Sequence, residues 1–322
     1  MKIPRRVLLA LALLFFSLTR PAMAQDFPTG KVLTIYVGFS AGGAIDLTAR
    51  VIAKRLSENL GQSVVVENRA GAGGNIAQQV VVSAAPDGTA LLLGSIGSLA
   101  INPHLMPFSY DPLRALAPIT MGVSFPNVLV VNRSLGVKTL AEYIAQAKTQ
   151  KMDFASSGVG SASHMAGEMF NQRAGLDIVH IPYKGGNPAM IDLLGGRVPA
   201  YYATPSSAQA YIKSGQVVAL ATTGLKRSDM LPDVPTIAES GFPGFNATNW
   251  YAFVAPGKTP RPILERWNHE LVKALNAPDV RDLLIKNGLT PMPGTRDELA
   301  RFMASESASW GSVVKERHIT LE

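Results

Sequence analysis

Four times in this sequence an apolar, strand-like run ends in a turn of small residues that opens directly into a helix-like pattern. That repetition restricts the fold more than any other feature. The first junction runs from Leu33, Ile35 and Val37 through Phe39-Ser40-Ala41-Gly42-Gly43-Ala44 into an amphipathic stretch carrying Leu47, Val51, Ile52 and Leu56. The second passes from Phe154 through Ser156-Ser157-Gly158-Val159-Gly160-Ser161-Ala162-Ser163-His164 into Ala166 to Phe170. The third is Ile178 to Tyr183 followed by Lys184-Gly185-Gly186-Asn187, and the fourth is Tyr201-Tyr202-Ala203-Thr204-Pro205-Ser206-Ser207 before Ala208 to Ile212. A helix start leaves about four backbone N–H groups without intrahelical partners and carries roughly half a positive charge, so each junction is a potential anion cradle. Several of them converging on one cleft would suit a small carboxylate.

Short apolar runs alternate with helix-length amphipathic segments nearly throughout, which predicts an α/β architecture with largely parallel sheets. Strands are expected at Val32 to Val37, Val64 to Glu67, Ala90 to Gly94, Val128 to Val131, Asp153 to Ala155, Ile178 to Pro182, Ala200 to Tyr202, Val218 to Thr222 and Ala252 to Ala255. Helices are expected at Ala44 to Leu60, Asn75 to Ala84, Thr139 to Thr149, Ser163 to Gly175, Asn187 to Gly195, Ala208 to Ser214, Thr236 to Ser240, Pro260 to Leu275, Pro278 to Asn287 and Thr295 to Lys315. Two stretches punctuated by Gly and Pro, Met121 to Asn127 and Gly241 to Trp250, read as crossings between domains. The first domain is then discontinuous, residues 25–126 plus 249–322, and residues 127–248 form the second.

Residues 1–24 read as a secretory signal: basic Lys2, Arg5 and Arg6, an apolar core from Val7 to Leu18, and Ala22-Met23-Ala24 as the cleavage site. The apolar core is far shorter than the ~20 residues of a membrane-spanning helix. Arg5-Arg6 lacks the further residues of a twin-arginine signal, so general secretion of a soluble chain beginning at Gln25 is expected. The chain has no cysteine, which excludes disulfides, thiolate metal sites, a cysteine nucleophile and a lipid-anchored cysteine. Of the net charge of +7, four units belong to Lys2, Arg5, Arg6 and Arg20 in the signal; with no run of four basic residues, nucleic-acid binding has little support.

Individual motifs have alternative meanings. Asp46 lies in the first turn of its helix, where it either stabilises the helix start alone or has a site role, orienting the cradle or contacting ligand. Phe39 stands at the mouth of the cleft or packs beneath it. Ala70-Gly71-Ala72-Gly73-Gly74-Asn75 lacks the Lys-Ser/Thr of a phosphate loop and the dinucleotide-binding spacing, so a turn rich in positive φ is the better reading. The serines beside His164 raise serine hydrolysis, but the Gly-x-Ser-x-Gly elbow is missing and anion binding by hydroxyls and N–H groups is favoured. The five histidines, His104, His164, His180, His269 and His318, show no metal-ligand spacing. Lys184 either supplies charge to a ligand or is solvated, and Trp250 either walls the site or packs at a hinge.

Taken together, several segments resemble the tripartite tricarboxylate transporter substrate-binding proteins, also called the Bug family, and the match runs nearly end to end. It is carried by Val64-Val65-Val66-Glu67-Asn68-Arg69-Ala70-Gly71-Ala72-Gly73-Gly74-Asn75, Ala85-Pro86-Asp87-Gly88-Thr89, Ile101-Asn102-Pro103 and Tyr110-Asp111-Pro112. It continues in Pro126-Asn127-Val128-Leu129-Val130-Val131-Asn132, Phe154-Ala155-Ser156-Ser157-Gly158, His180-Ile181-Pro182-Tyr183-Lys184-Gly185 and Leu231-Pro232-Asp233-Val234-Pro235-Thr236. The resemblance implies a type II periplasmic binding protein, two α/β domains closing on a central ligand cleft, located in the periplasm after cleavage at Ala24. It implies capture of a small organic carboxylate for membrane permease subunits, with no cofactor, no metal and a monomeric state. Carried onto this chain, the site comprises Phe39, Ala41, Gly42, Gly43 and Asp46 from one domain, and Ser157, Gly158, Gly160, Ser161 and His164 from the other, with Thr204 and Pro205 nearby. Relatives often place an acid followed by Asn where this chain has Ala203-Thr204, which predicts a carboxylate ligand without an amine. Two other functions stay open from sequence: a ligand sensor acting through a sensor kinase, and an exported serine hydrolase.

Overall fold

In β1 (Leu33–Val37) the side chains of Leu33, Ile35 and Val37 are fully buried while Thr34 and Tyr36 are half-buried, the period of two expected of a strand in a covered sheet. The computed structural model describes residues 27–112, 114–316 and 319; the expected signal at residues 1–24 and His318 lie outside the described residues. β1 lies between β2 (Val64–Asn68) and β3 (Ala90–Ser95), parallel to both. β10 (Thr248–Pro256) then runs antiparallel to β3 and to β4 (Leu116–Pro126), and β11 (Thr290–Pro291) completes a six-stranded sheet in the order β11-β4-β10-β3-β1-β2. A second sheet of five strands has the order β7-β6-β8-β5-β9, formed by β5 (Val128–Asn132), β6 (Met152–Ser156), β7 (Ile178–Pro182), β8 (Ala200–Ala203) and β9 (Val217–Thr222).

Each sheet is covered on both faces. Helices α1 (Ala44–Leu60), α7 (Arg261–Asn276) and α8 (Pro278–Lys286) pack Ile45, Ile52, Leu56, Trp267, Leu271 and Leu284 on one face of the first sheet. On its other face α2 (Asn75–Val82) and α9 (Arg296–Glu316) contribute Val81, Leu299, Met303 and Trp310. The second sheet is enclosed by α3 (Leu140–Ala147) and α4 (Ala162–Ala174) on one side, and by α5 (Gly186–Leu194) and α6 (Pro205–Lys213) on the other. The result is the two-lobed α/β architecture expected of a type II binding protein.

The chain differs from the sequence expectation in three places. The sheets are mixed, because β10 is antiparallel to β3 and β4, and β5 is antiparallel to β8 and β9. The segment read as a crossing from Met121 is strand up to Pro126, with Asn127 alone between β4 and β5. Gly122 does not break it; it permits close pairing, since a Cβ there would stand 3.0 Å from the carbonyl oxygen of Tyr251. Residues 236–240 form a turn, not a helix: Thr236 and Glu239 bond reciprocally as a capping box does, but Gly241 and Pro243 follow at once.

Thr223 joins the two passages of chain between the sheets. Its Oγ1 accepts from the Asn127 N–H at 2.9 Å and donates to the Ala247 carbonyl at 2.9 Å. Its own N–H and carbonyl bond the Asn127 carbonyl and the Ala247 N–H at 2.9 and 2.8 Å.

Candidate ligand-binding site

The parallel strands β1, β6, β7 and β8 all end toward one region, and the helix that follows each one begins there. Between the two sheets this leaves a narrow cavity lined by residues of both lobes. Its wall includes Gly43, Ala44 and Ile45 at the start of α1, Ser161, Ala162 and Ser163 at the start of α4, Gly186 at the start of α5, and Thr204 and Ser207 at the start of α6. The N-cap residues of α1, α5 and α6 (Gly43, Gly185 and Thr204) make no side-chain cap. α4 is the exception at the cavity, its Ser161 Oγ accepting the His164 N–H. The first turns of α1, α5 and α6 are therefore left without side-chain partners beside the cavity, as are those of α2, α7 and α8 elsewhere. No residue lining the cavity is charged; Ser95, Asn127, Tyr201, Tyr202, Asn249 and Tyr251 supply most of the rest of its surface.

Asp46 does not line the cavity. It is 4% exposed and accepts from the Gly42 N–H, the Arg50 Nε and the Asn68 Nδ2, each at 2.9 Å, while Asn68 also donates to the Phe39 carbonyl at 3.1 Å. Burial pushes its pKa up, but the hydrogen bonds from Arg50, Gly42 and Asn68 outweigh this and hold it below the ordinary carboxylate value. Asp46 thus fixes the turn that presents Gly43 to Ile45, the orienting alternative of the two open from sequence.

His164 likewise stands behind the wall. Its Nδ1 accepts the Gly160 N–H at 3.1 Å, its Nε2 faces Glu168 Oε1 at 3.7 Å, and its ring stacks on His180 with centroids 3.9 Å apart. Burial lowers its pKa to about 4, and burial together with His164 lowers that of His180 to about 3, so both rings are neutral near pH 7. Neither ring nitrogen of His164 bonds a serine hydroxyl: Ser161 Oγ caps the helix through the His164 backbone N–H at 3.3 Å, and Ser157 and Ser161 each pair with Ser163 at 3.0 Å. His164 and the serines it stands beside therefore form no nucleophile-and-base pair; Ser156 Oγ does meet His180 Nε2 at 2.5 Å, but both are outside the cavity wall and Ser156 is fully buried.

Of the residues expected from sequence, the cavity brings together Phe39, Gly43, Ser157, Ser161 and Thr204. Ala41 and Gly42 lie outside it, exposed on the rim; the Ala41 carbonyl accepts from Asn187 Nδ2 across the cleft at 2.9 Å. Gly158 and Gly160 shape the turn, Gly158 beside a second, outer cleft that also holds Gly73, Tyr183 and Lys184. Pro205, the first residue of α6, is buried away from the cavity. Trp250 faces away, because Asn249 and Tyr251 on either side of it point to the cavity; its Nε1 donates to Glu306 at 2.9 Å and its ring meets Phe302. Ala203 is not in the wall either, so the missing amine partner is better read from the absence of any lining carboxylate. Sequence reasoning overlooked Asn127 and Asn249; the available signal was an asparagine interrupting the apolar run of residues 125–131 and another at the start of the apolar run of residues 250–256.

The lobes meet around the cavity. The Ser40 N–H donates to the Lys184 carbonyl at 3.1 Å, and Ala162 and Met165 of α4 join the apolar cluster of Leu92, Ile96 and Leu99. Gly73 and Gly160 allow the lobes to approach closely here: a Cβ on Gly73 would stand 2.3 Å from the Val159 carbonyl oxygen, and one on Gly160 would overlap the Asn102 side chain.

Residues 48–319 match the family model described as the tripartite tricarboxylate transporter family receptor. The chain belongs to that family. Among its relatives, this receptor is 40% identical over 300 residues to Protein BugT of Bordetella pertussis, covering 92% of each chain. Among solved structures, the receptor superposes with a TM-score of 0.88 on an R. palustris protein solved with adipate, at 34% identity over 92% of this chain and 99% of the other. MatC from Rhodopseudomonas palustris, solved with malate, gives 0.84 at 30% identity, covering 89% and 100%.

Proposed function

We propose that this receptor captures a small organic carboxylate in the periplasm and hands it to the membrane subunits of a tripartite tricarboxylate transporter. The observation that carries the reading is the cavity walled by four helix starts, three without side-chain caps, and by no charged side chain. Fixed N–H dipoles in an enclosed, low-dielectric site hold an anion without a lysine or arginine, as helix termini do elsewhere. Adipate and malate in the two structural neighbours support the ligand class. Phe39, Gly43, Ser157, Ser161 and Thr204 contact the ligand in this reading, with Asp46, Gly160 and His164 holding the turns. The lobes act as domains, residues 25–126 plus 249–322 and residues 127–248, that rotate about the strands joined by Thr223. Residues 1–24 direct export and are removed after Ala24. Among the described residues no helix is long and apolar enough to cross a membrane.

The test is a thermal-shift screen of the mature protein, refolded to strip retained ligand, against adipate, succinate, malate, citrate and aspartate. At ~1,000 times the dissociation constant a ligand stabilises by about 4 kcal/mol, which is roughly 8–16 °C in a protein of this size. A shift of that order with one or more plain carboxylates is expected. A larger shift with aspartate than with any of them would refute the amine-free ligand, and turnover of ester substrates lost on Ser157→Ala would restore the hydrolase.

A further inference from the structure

Four polar side chains among those lining the cavity carry buried atoms without partners. Asn127 is 1% exposed and neither its Oδ1 nor its Nδ2 is hydrogen-bonded; Asn249 Oδ1, Ser40 Oγ and the Tyr202 hydroxyl are also unpartnered. Buried carboxamides elsewhere in the second lobe are satisfied: Asn132 and Asn171 donate to the carbonyls of Leu193 and Ile178. Nor does Asn127 need its side chain to form the crossing, since its backbone N–H and carbonyl are both taken by Thr223.

Strand geometry explains why the two asparagines share one surface. Asn249 pairs with Phe125 and Tyr251 with Val123 across β10 and β4. Asn127 lies two residues beyond Phe125, so it falls on the same face as Phe125, Asn249 and Tyr251, diagonal to Asn249. Phe125 and Tyr251 stack edge-to-face at 5.0 Å and fill the apolar part of that face. What remains is the pair of carboxamides, Asn127 and Asn249, on the cavity surface.

We infer that Asn127, with Asn249, selects carboxylates that also carry a neutral hydrogen-bond donor, a hydroxyl or a primary amide. The inference rests on the carboxylate reading of the helix starts and adds the second half of the ligand. A buried polar group left unpaired is costly, so the complex forms best with a ligand that completes these bonds. A second ionised carboxylate can accept from Asn127 Nδ2 but brings no donor for the unpaired oxygens of Asn127 and Asn249. A methylene chain leaves both carboxamides unpaired. An ammonium offers donors, but no lining carboxylate balances its charge. A hydroxyl or an amide both donates and accepts, which is what a carboxamide pair requires.

Titration calorimetry on the refolded mature protein tests this with matched pairs: succinate against malate, glutarate against 2-hydroxyglutarate, and succinate against succinamate. In at least one pair the donor-bearing acid is expected to bind about tenfold tighter or more, the range set by one buried hydrogen bond. Asn127→Ala and Asn249→Ala should each bring that ratio toward one. Parents that bind as tightly as their hydroxylated and amidated partners in every pair overturn the inference and leave the carboxylate reading intact. So does a preference that survives both substitutions. If none of these acids binds, the carboxylate reading falls and the selection falls with it.

Discussion

Gly73→Ala should impair ligand binding without comparable loss of fold, and the structure supplies its own control. Gly73 has φ 61° and ψ 21°, and Gly61, at the end of α1, has φ 64° and ψ 26°. Alanine in that left-handed region costs roughly 1–2 kcal/mol at either position. Only Gly73 has a neighbour across the cleft: its new Cβ would stand 2.3 Å from the Val159 oxygen, whereas Gly61 has nothing within 4 Å. Restoring an ordinary contact requires the lobes to back away by about 1 Å at this point. The two hydrogen bonds beside it, Ser40 to Lys184 at 3.1 Å and Asn187 to Ala41 at 2.9 Å, would then be stretched beyond useful length. At about 0.5–1.5 kcal/mol each, their loss disfavours the closed form by about 1–3 kcal/mol, or roughly 5- to 150-fold in apparent affinity. Urea denaturation should place the two variants close together, and calorimetry with the best ligand should separate them. Equal affinity for Gly73→Ala and Gly61→Ala would refute the claim that this approach is part of closure.

Three further outcomes are expected. The buried His164 and His180 rings take up protons less readily than the unfolded chain, so stability is full above about pH 6.5 and falls as the pH drops toward 4; His164 alone accounts for about 3 kcal/mol. A urea midpoint that stays flat from pH 7 to 4.5 would contradict this. Asp46→Asn places an amide among three donors and should cost about 1–3 kcal/mol of stability and loosen the turn at Gly42, seen as weaker binding by calorimetry; unchanged stability would show that the turn holds itself. Trp250→Phe removes the bond to Glu306 and should lower stability by about 1 kcal/mol with ligand affinity unchanged, because the indole faces away from the cavity. A clear loss of affinity would return Trp250 to the site.

The helix starts were legible because a turn of small residues after an apolar run is a local signature: α1 was expected at Ala44 to Leu60, where it lies, and the four junctions do meet at one cavity. β4 was not legible, since Gly122 and Pro126 look like punctuation unless one knows that Gly122 lies close against Tyr251 and that Pro126 ends the strand. The start of β10 was placed four residues late because Thr248 and Asn249 are polar, and they are polar in part because Asn249 faces the cavity. Asp46 and His164 were chosen as chemically able residues, and both act one layer back, on the Gly42 and Gly160 N–H groups. Distance from the cavity is a property of packing that residue type does not reveal. The same limit hid Asn127, whose role depends on which strand lies beside it.

Thr223 has a mechanical consequence. Two strands that could each bend alone would give the lobes a loose, multidirectional swing, but both are bonded to one threonine, through its Oγ1 and its peptide group. In the proposed closure, strands pinned together in this way would act as a single pivot and leave the lobes essentially one coordinate of motion. The length of the bound carboxylate would then set that coordinate, turning the span of the cargo into an angle that a partner could read from outside.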